Sequence, residues 1–532
     1  MKAILSWRPD LVHLFLFVIL VGGTTVRFVG VDFGLPLTIK SDEPIVVGGV
    51  TSMLERKSFE PDRFQWPNHL GIMATYLAVV FFTPLRYGIS AEVAVTDLEI
   101  GYFHLVARSV TAIFGVVVIV LAYLIGKRFN RSIGLLSASL FAFLPLYVME
   151  SHYATPDIGL VMAVLAVVLA GMLYYEKPGT WRLVATAFLA AVAIIAKYPG
   201  ALTTLIIATV VIAAVWRDRR WWRIVSHGAL SLVTVPVSLF ILSPALFTNR
   251  SRVIRQLGFE SRGTHLGADG LSFTGKLDFY FTTYMQQTGW ILLALAALGL
   301  VWLVWQKSVV ALPLLIGVVF WLALSTLGLH WIRWSLPMFI SPLFLSAIGS
   351  YAVVDFLKTR FSSQRWPWIV AVVGIGTILF SQVMSSVASS ASFLRKDVRL
   401  IALEDFRNQG ITPDNTAFEG YTPFEPGGFG VIFDDFEVVG DTLVPLNDKI
   451  QYVVLSDSMF GRYQAEDQYQ EEQEFYRLVE ENFTLIAEYQ GDIPEVTVPL
   501  DNFRVMRAVR SIMQTAQGAT DGPYLKVYQI TN

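Results

Sequence analysis

The chain has 532 residues, of which 54% are hydrophobic and 15% are charged. This composition excludes an ordinary soluble protein, which is less apolar and more charged, and it indicates a polytopic membrane protein. Because the chain contains no cysteine, disulfides, thiolate nucleophiles and cysteine metal sites are excluded. The formal net charge of -2 indicates no particular partner, and nothing in the sequence points to a nucleic acid.

Long apolar runs in the sequence indicate transmembrane helices. The run at about residues 11–30 is long enough to cross a hydrocarbon core of about 30 Å as a helix. Further runs lie near residues 106–126, 133–149, 157–175, 182–196, 200–216, 224–246, 288–305, 309–328, 335–356 and 367–388. Together they predict about eleven transmembrane helices.

The run at residues 69–87 is also apolar enough to be a span. Counting it would place the strongest basic clusters on the outer face of the membrane, against the usual excess of Lys and Arg in cytoplasmic loops. We therefore predict a juxtamembrane or partly embedded helix there.

Basic residues mark every second loop between the predicted spans. They are Lys127, Arg128, Arg131, Lys177, Arg217, Arg219, Arg220, Arg223, Lys307, Lys358 and Arg360. This pattern predicts a cytoplasmic N-terminus and an extracytoplasmic position for the chain after about residue 390. The titratable residues near span ends then fall on the outer face. Ionisable groups are energetically unfavourable at the membrane, so their clustering on one side suggests a functional site.

The composition changes abruptly near residue 390. Asp and Glu become frequent, and apolar runs shorten to strand length, as at residues 452–455 and 525–528. Residues 471–482 have helical spacing of their apolar side chains. We therefore predict a transmembrane domain over residues 1–390 and a small external α/β or α+β domain over residues 391–532.

Asp42 and Glu43 lie about a dozen residues beyond the first predicted span. Two adjacent carboxylates at a membrane exit are candidates for a catalytic site. The same position suits a helix cap, because Pro44 is favourable in a first helical turn and an aspartate before it can accept backbone hydrogen bonds. Both interpretations of Asp42 are open from the residues alone.

Several short motifs resemble those of the lipid-carrier-dependent glycosyltransferases of the GT-C superfamily, in particular relatives of protein O-mannosyltransferases and lipid A aminoarabinose transferases. The motifs are Ser41-Asp42-Glu43, Trp66-Pro67-Asn68-His69-Leu70, Arg108 followed by Gly126-Lys127-Arg128-Phe129, the loop from Ser151 to Asp157, Ala196-Lys197-Tyr198-Pro199-Gly200 and Arg333-Trp334-Ser335-Leu336-Pro337. The family often has two consecutive prolines where this chain has Pro67-Asn68. The order, spacing and shared membrane side of the motifs carry the resemblance.

The resemblance implies an α-helical polytopic GT-C like fold with external juxtamembrane helices and a small soluble domain. Members of the family transfer a sugar from a polyprenyl phosphate to an acceptor at the outer face of the membrane, usually with inversion. The implied partners are a polyprenyl-phosphate-linked sugar of the dolichyl or undecaprenyl type, a protein, lipid or glycan acceptor, and membrane lipids. This chemistry needs a base beside the attacking hydroxyl and positive charge beside the departing phosphate.

The resemblance also implies roles for single residues. Asp42 would be the general base, and Glu43 would orient the base or the acceptor. Arg333 and Lys197 would bind the donor phosphate, because guanidinium and ammonium groups pair with phosphate oxygens. Arg262 is a further candidate for the phosphate, because it belongs to the basic external loop at 247–287, although a loop lying along the membrane surface would be basic too. Lys197 has the alternative role of a snorkelling side chain at a span end.

Asp157, His152 and His69 are implied to position the acceptor or the sugar. Asp157 also begins a predicted span, where a carboxylate suits the positive end of the helix dipole, and this alternative stays open. No compact ligand spacing such as His-Glu-x-x-His occurs, so we predict no obligatory metal or other cofactor and leave a divalent cation open. Trp66 is a candidate for stacking on a sugar, although most interfacial Trp side chains are membrane anchors.

Two other classes of protein compete with a glycosyltransferase. A transporter, or a protein that handles lipid-linked glycans without transferase activity, would have inverted repeats and broken helices near the bilayer midplane. The charges here lie at the predicted outer edge instead. A membrane-anchored binding protein acting through its C-terminal domain would leave those charges without a role, so we expect an integral-membrane glycosyltransferase.

Overall fold

The computed structural model describes residues 9–65, 67–492 and 504–530 and is mostly helical. The apolar part of the chain forms α1 (Pro9–Phe28), α2 (Glu43–Glu55), α3 (His69–Tyr87), α4 (Ala91–Asp97), α5 (Ile100–Gly126), α6 (Arg131–Ala142), α7 (Pro145–Glu150), α8 (Pro156–Glu176), α9 (Thr180–Ala196), α10 (Thr204–Asp218), α11 (Trp222–Leu242), α12 (Ala245–Thr248), α13 (Arg250–Glu260), α14 (Phe273–Thr288), α15 (Trp290–Trp305), α16 (Ile316–Leu324), α17 (Ile340–Arg360) and α18 (Trp366–Ser392). Short 3-10 segments precede α10, α16 and α17, at Tyr198–Thr203, Val309–Leu315 and Ile332–Phe339.

Within the described residues, 8 helices are long and apolar enough to cross a membrane, or 9 when the bent pair α14 and α15 is taken as one span. Seven of the 8 helices match predicted spans and the eighth is α3, whereas the other four of the eleven predicted spans are shorter or broken. The run at 133–149 is interrupted between α6 and α7, α9 and α16 are short, and α14 and α15 meet at an angle of 105°. The predicted helical polytopic architecture is confirmed.

The helix α3 is one of those long enough to span, although the sequence predicts that it lies along the membrane. Its first residue, His69, has its Nδ1 2.6 Å from the hydroxyl of Ser243, directly after α11. Near its other end, the hydroxyls of Thr83 and Tyr102 are 2.9 Å apart, and Tyr102 lies in the first turn of α5. Both ends of α3 therefore contact the ends of α5 and α11 that lie opposite their basic clusters, and the juxtamembrane position stays a prediction.

The two helices α15 and α17 approach each other closely through glycine. A Cβ atom at Gly349 would overlap the carbonyl oxygen of Leu295, and one at Gly299 would overlap the carbonyl oxygen of Leu345. Small residues permit this close backbone contact. In a membrane the hydrophobic effect does not hold helices together, so van der Waals packing of this kind stabilises the helix pair instead. The reciprocal glycines therefore determine how α17, which follows the segment containing Arg333, sits in the bundle.

The C-terminal part combines helices with two sheets, as predicted. Its elements are α19 (Val398–Gln409), β1 (Thr416–Phe418), β2 (Phe436–Val439), β3 (Thr442–Pro445), β4 (Tyr452–Ser456), α20 (Asp457–Gln464), α21 (Gln470–Asn482), β5 (Thr484–Tyr489), α22 (Arg504–Ala516) and β6 (Leu525–Gln529). The larger sheet has the order β1-β4-β6-β5, in which β1 and β4 are parallel and the other pairs are antiparallel. The apolar face of α21 packs on this sheet through buried Phe475, Leu478 and Val479.

Replacing Gly349 by valine tests the close contact of α15 and α17. The added side chain overlaps a backbone carbonyl that cannot move alone, so we expect a loss of about 1–3 kcal/mol or more in stability. The matched control is Gly376→Val in α18, where a new Cβ meets no atom within 4 Å. Thermal unfolding of both variants in detergent measures the difference, and equal midpoints would contradict the tight packing.

Candidate active site

The carboxylate of Asp42 pairs with the guanidinium of Arg333, through Oδ2 and the Nη1 nitrogen. Asp42 occupies the N-cap position of α2, but its side chain makes no capping hydrogen bond. The structure therefore distinguishes the two interpretations of Asp42, because the carboxylate faces a distant cation rather than its own helix. Both side chains are largely buried, with exposed fractions of 17% and 21%.

Arg333 lies at the start of the 3-10 segment that leads into α17. Its guanidinium carbon is 5.6 Å from the ring centroid of Trp331, which fixes one face of the group. Its Nε atom is buried and has no hydrogen-bond partner in the described part of the chain. A guanidinium with a free buried donor is suited to an anionic ligand, since Arg binds phosphate oxygens through several N–H groups.

A second ion pair, between Lys197 and Asp157, lies beside the first. Lys197 Nζ is 2.7 Å from Asp157 Oδ1 and 5.5 Å from the ring centroid of Trp334, the residue after Arg333. Asp157 stands in the first turn of α8, and its Oδ2 atom has no partner among the described residues. Lys197 is therefore paired in the interior, and the structure does not show the snorkelling arrangement.

Glu43 is held in a buried bidentate pair with Arg108. The Nε and Nη2 atoms of Arg108 donate to Oε1 and Oε2 of Glu43 at 2.9 and 2.7 Å, and both side chains are 0% exposed. The N–H of Ala154 also donates to Oε1 at 3.0 Å. Arg108 further binds the carbonyls of Val31 and Phe33 at 3.2 and 2.7 Å. Glu43 thus fastens α2 to α5 and to the loop before α8, which is a positioning role beside Asp42.

The two histidines implied to position substrate are instead engaged with the protein. His69 Nδ1 contacts the Ser243 hydroxyl, and its Nε2 is 2.7 Å from the carbonyl oxygen of Arg63. His152 has its ring nitrogens 2.8 and 2.9 Å from the carbonyls of Val148 and Val29. Each ring therefore has both nitrogens within hydrogen-bond distance of a protein oxygen, which leaves neither nitrogen free for a sugar.

The external loop after α13 reaches the same region, but Arg262 turns back onto its own helix. Its Nη1 donates to the carbonyl of Phe259 at 3.0 Å and lies 3.9 Å from the carboxylate of Glu260. His265 is the residue of this loop that approaches the site, with its ring centroid 5.0 Å from that of Trp331. Burial lowers the pKa of His265, which favours the neutral imidazole.

A loop of the C-terminal part, residues 420–430, lies over the start of α2. A Cβ at Gly427 would be 2.7 Å from the carbonyl oxygen of Thr38, four residues before Asp42. Tyr421 has the left-handed φ of 63°, which is unfavourable for a residue with a side chain, and it lies within electrostatic range of Arg333. The chain after the last span therefore supplies one wall of the candidate site.

Sequence reasoning missed Glu150, the last residue of α7. Its side chain is buried near Asp157 and Lys197, and the only signal in the sequence was a lone carboxylate at the end of an apolar run. Trp66, the candidate for sugar stacking, lies outside the described residues. The described residues also contain no group of three or more His, Cys, Asp or Glu that could hold a metal ion.

Replacing Arg108 by methionine tests the role of the buried pair. Glu43 would stay buried without its counter-charge, so we expect a loss of about 3–5 kcal/mol in stability. The double variant Arg108→Met/Glu43→Leu removes both charges and should recover most of the loss. Thermal unfolding in detergent measures this, with the exposed Arg477→Met as the control expected to change little. Equal losses in the single and double variants would contradict an electrostatic origin.

A family model described as dolichyl-phosphate-mannose-protein mannosyltransferase matches residues 98–247, which include Arg108, Glu150, Asp157 and Lys197. No curated protein matches the sequence significantly.

Solved structures match over most of the chain. ArnT from Cupriavidus metallidurans in the apo state is 15% identical, with a TM-score of 0.53 over 90% of this chain and 96% of that chain. The Archaeoglobus fulgidus oligosaccharyltransferase in complex with zinc and sulfate is 11% identical, with a TM-score of 0.50 over 97% of this chain and 88% of that chain. ArnT bound to undecaprenyl phosphate is 18% identical, with a TM-score of 0.48 over 76% and 74% of the two chains. The family model thus matches about a quarter of the chain, at residues 98–247, and the first two structures share the fold of this chain over most of its length.

Proposed function

We propose that this protein transfers a sugar from a polyprenyl phosphate to an acceptor hydroxyl or comparable group at the outer face of the membrane. The observation that carries the proposal is the pairing of Asp42 with Arg333 and of Lys197 with Asp157, together with the position of Lys197 Nζ 5.5 Å from the ring centroid of Trp334, the residue after Arg333. A carboxylate for proton removal and two cations for a phosphate are the groups that this transfer requires.

The proposed side of the membrane follows from the opposite ends of the same helices. Asp157 begins α8, whereas Glu176 at its end pairs with Arg128 after α5. Arg333 precedes α17, which ends with Lys358 and Arg360. Since cytoplasmic loops are rich in Lys and Arg, the end of the bundle that carries the candidate site is assigned to the outer face, with a cytoplasmic N-terminus.

In the proposed resting state, Arg333 neutralises Asp42. The phosphate of the donor competes for the guanidinium of Arg333, and Lys197 supplies a second positive charge nearby. Loss of its partner leaves Asp42 as a partly desolvated carboxylate, which is a stronger base than a solvated one. Donor binding and activation of the base are therefore linked through one arginine.

The proposed chemical step is a displacement at the anomeric carbon of the donor sugar. The acceptor oxygen forms the new bond to this carbon while Asp42 takes the acceptor proton. The bond between the anomeric carbon and the phosphate oxygen breaks, and its electron pair leaves with the polyprenyl phosphate, whose charge Arg333 and Lys197 stabilise. Attack from the face opposite the phosphate inverts the configuration. No step requires a metal, and an assay with and without a chelator tests this.

The alternative of a transporter gains no support from the bent pair α14 and α15. The break between them falls at Gly289, where Gln287, Thr288 and Trp290 carry no charge. The charged pairs described above lie instead near the ends of α2, α8 and α17. They fit chemistry at one membrane surface better than an ion path through the midplane.

Asp42→Asn tests the base. The amide keeps the size of the side chain but cannot take a proton, so we expect turnover to fall about 100-fold to 10,000-fold. The assay uses purified protein in lipid nanodiscs with undecaprenyl-phosphate and dolichyl-phosphate sugars and a mixture of peptide, lipid and glycan acceptors. Asp32→Asn is the matched control, because Asp32 is an exposed carboxylate of the same loop. Equal turnover by the Asp42 variant and the parent would remove Asp42 from this role.

Arg333→Gln tests the phosphate site. We expect the donor dissociation constant to rise about 10-fold to 100-fold, because the variant lacks a charged hydrogen-bond donor for the phosphate. Titration of the donor without acceptor isolates this effect. Arg262→Gln is the comparison, since Arg262 contacts Phe259 and Glu260 and should affect donor affinity less. A larger loss in the Arg262 variant would reverse the proposed assignment of the two arginines.

A further inference from the structure

Glu150 is a buried carboxylate that the proposed mechanism does not use. Its side chain is 3% exposed, and its Oε2 atom has no hydrogen-bond partner within residues 9–65, 67–492 and 504–530. It ends α7 and precedes the loop that leads to Asp157. A buried carboxylate oxygen without a donor is unfavourable, so its persistence calls for a physical reason.

The charged groups around Glu150 belong to the candidate active site. Its carboxylate is within electrostatic range of Lys40, Asp157 and Lys197. Lys40 lies two residues before Asp42 and stands over the ring of Tyr153, with Nζ 4.2 Å from the centroid. Glu150 is therefore within electrostatic range both of the segment that carries the proposed base and of the pair that carries a proposed phosphate cation.

Asp157, a carboxylate near Glu150, also has a buried oxygen without a hydrogen-bond donor. Oδ1 of Asp157 accepts from Lys197, whereas Oδ2 is buried without a partner in the described chain. Two neighbouring carboxylates thus each present one unsatisfied acceptor. Sugar hydroxyl groups are donors of the kind that these oxygens lack, and a bound sugar would satisfy both.

Glu419 shows how this protein treats a buried carboxylate with a structural role. It lies in the C-terminal part and is 0% exposed, yet both of its oxygens have donors. Oε1 accepts from the hydroxyl of Tyr476, and Oε2 accepts from the N–H of Ser456 at 2.9 Å. The contrast with Glu150 indicates that the unsatisfied oxygen belongs to a binding site rather than to the packing.

We infer that Glu150, together with Asp157, binds hydroxyl groups of the donor sugar and so selects which sugar is transferred. The inference rests on the proposed function, because it places the sugar of a polyprenyl-phosphate donor between Glu150 and the cations at its phosphate. Glu150 is a specificity-determining residue in this arrangement, and Asp42 remains the base.

The test uses the full chain in nanodiscs with undecaprenyl-phosphate mannose, glucose and 4-amino-4-deoxyarabinose, followed by singly deoxygenated analogues of whichever donor is transferred. The variants are Glu150→Ala and the isosteric Glu150→Gln, with Glu419→Gln as the control for a buried carboxylate elsewhere. We expect Glu150→Ala to lower kcat/KM at least 10-fold with the complete donor. With the one analogue that lacks the bound hydroxyl, parent and variant should become nearly equal.

The outcomes separate the inference from the proposed function. Two results would overturn the inference while the parent is active. In the first, Glu150→Ala lowers kcat/KM relative to the parent as much on every deoxygenated analogue as on the complete donor. In the second, kcat/KM is unchanged in both Glu150 variants. No turnover of any donor by the parent would overturn the proposed function and the inference with it. Thermal unfolding of each variant shows whether it is folded, and Glu419→Gln should alter stability without changing the ranking of donors.

Discussion

The buried ion pair between Glu43 and Arg108 is the contact on which the arrangement of the candidate site depends. It joins the first turn of α2 to α5 where both side chains are inaccessible to solvent. Neither charge can move away without leaving the other uncompensated in apolar surroundings, so the register of the two helices is strongly constrained. Because Asp42 directly precedes Glu43, the position of the proposed base follows from this pair.

The charged side chains of the candidate site come from segments that are far apart in the sequence. The loop before α2, the start of α8, the turn after α9 and the segment before α17 each bring one of four charged side chains, which neutralise one another in two pairs. What remains is a set of unsatisfied atoms, a donor on Arg333 and an acceptor on Asp157. A ligand that combines an anionic phosphate with hydroxyl groups matches both kinds of atom, whereas a simple ion matches only one.

Much of the helical architecture could be predicted from the sequence because the bilayer core demands long apolar segments. The prediction fails where a run is broken, as between α6 and α7, since Pro145 has no N–H to continue the helical hydrogen bonds. The ion pair of Asp42 with Arg333 could not be predicted from the sequence either, because Asp42 fits a helix cap equally well until the fold brings Arg333 beside it. Glu150 belongs to no motif, and its importance arises only from burial beside other charges.

Phe393 has a consequence for where the membrane part ends. Its ring stacks on His152 with centroids 4.0 Å apart and contacts Phe33 at 4.8 Å, and its backbone lies against Gly30. A truncated protein that stopped at the predicted boundary of residue 390 would lack the Phe393 side chain, and the segment preceding the proposed base would then be exposed to solvent. A fragment that keeps the candidate site closed must therefore extend beyond the last membrane helix.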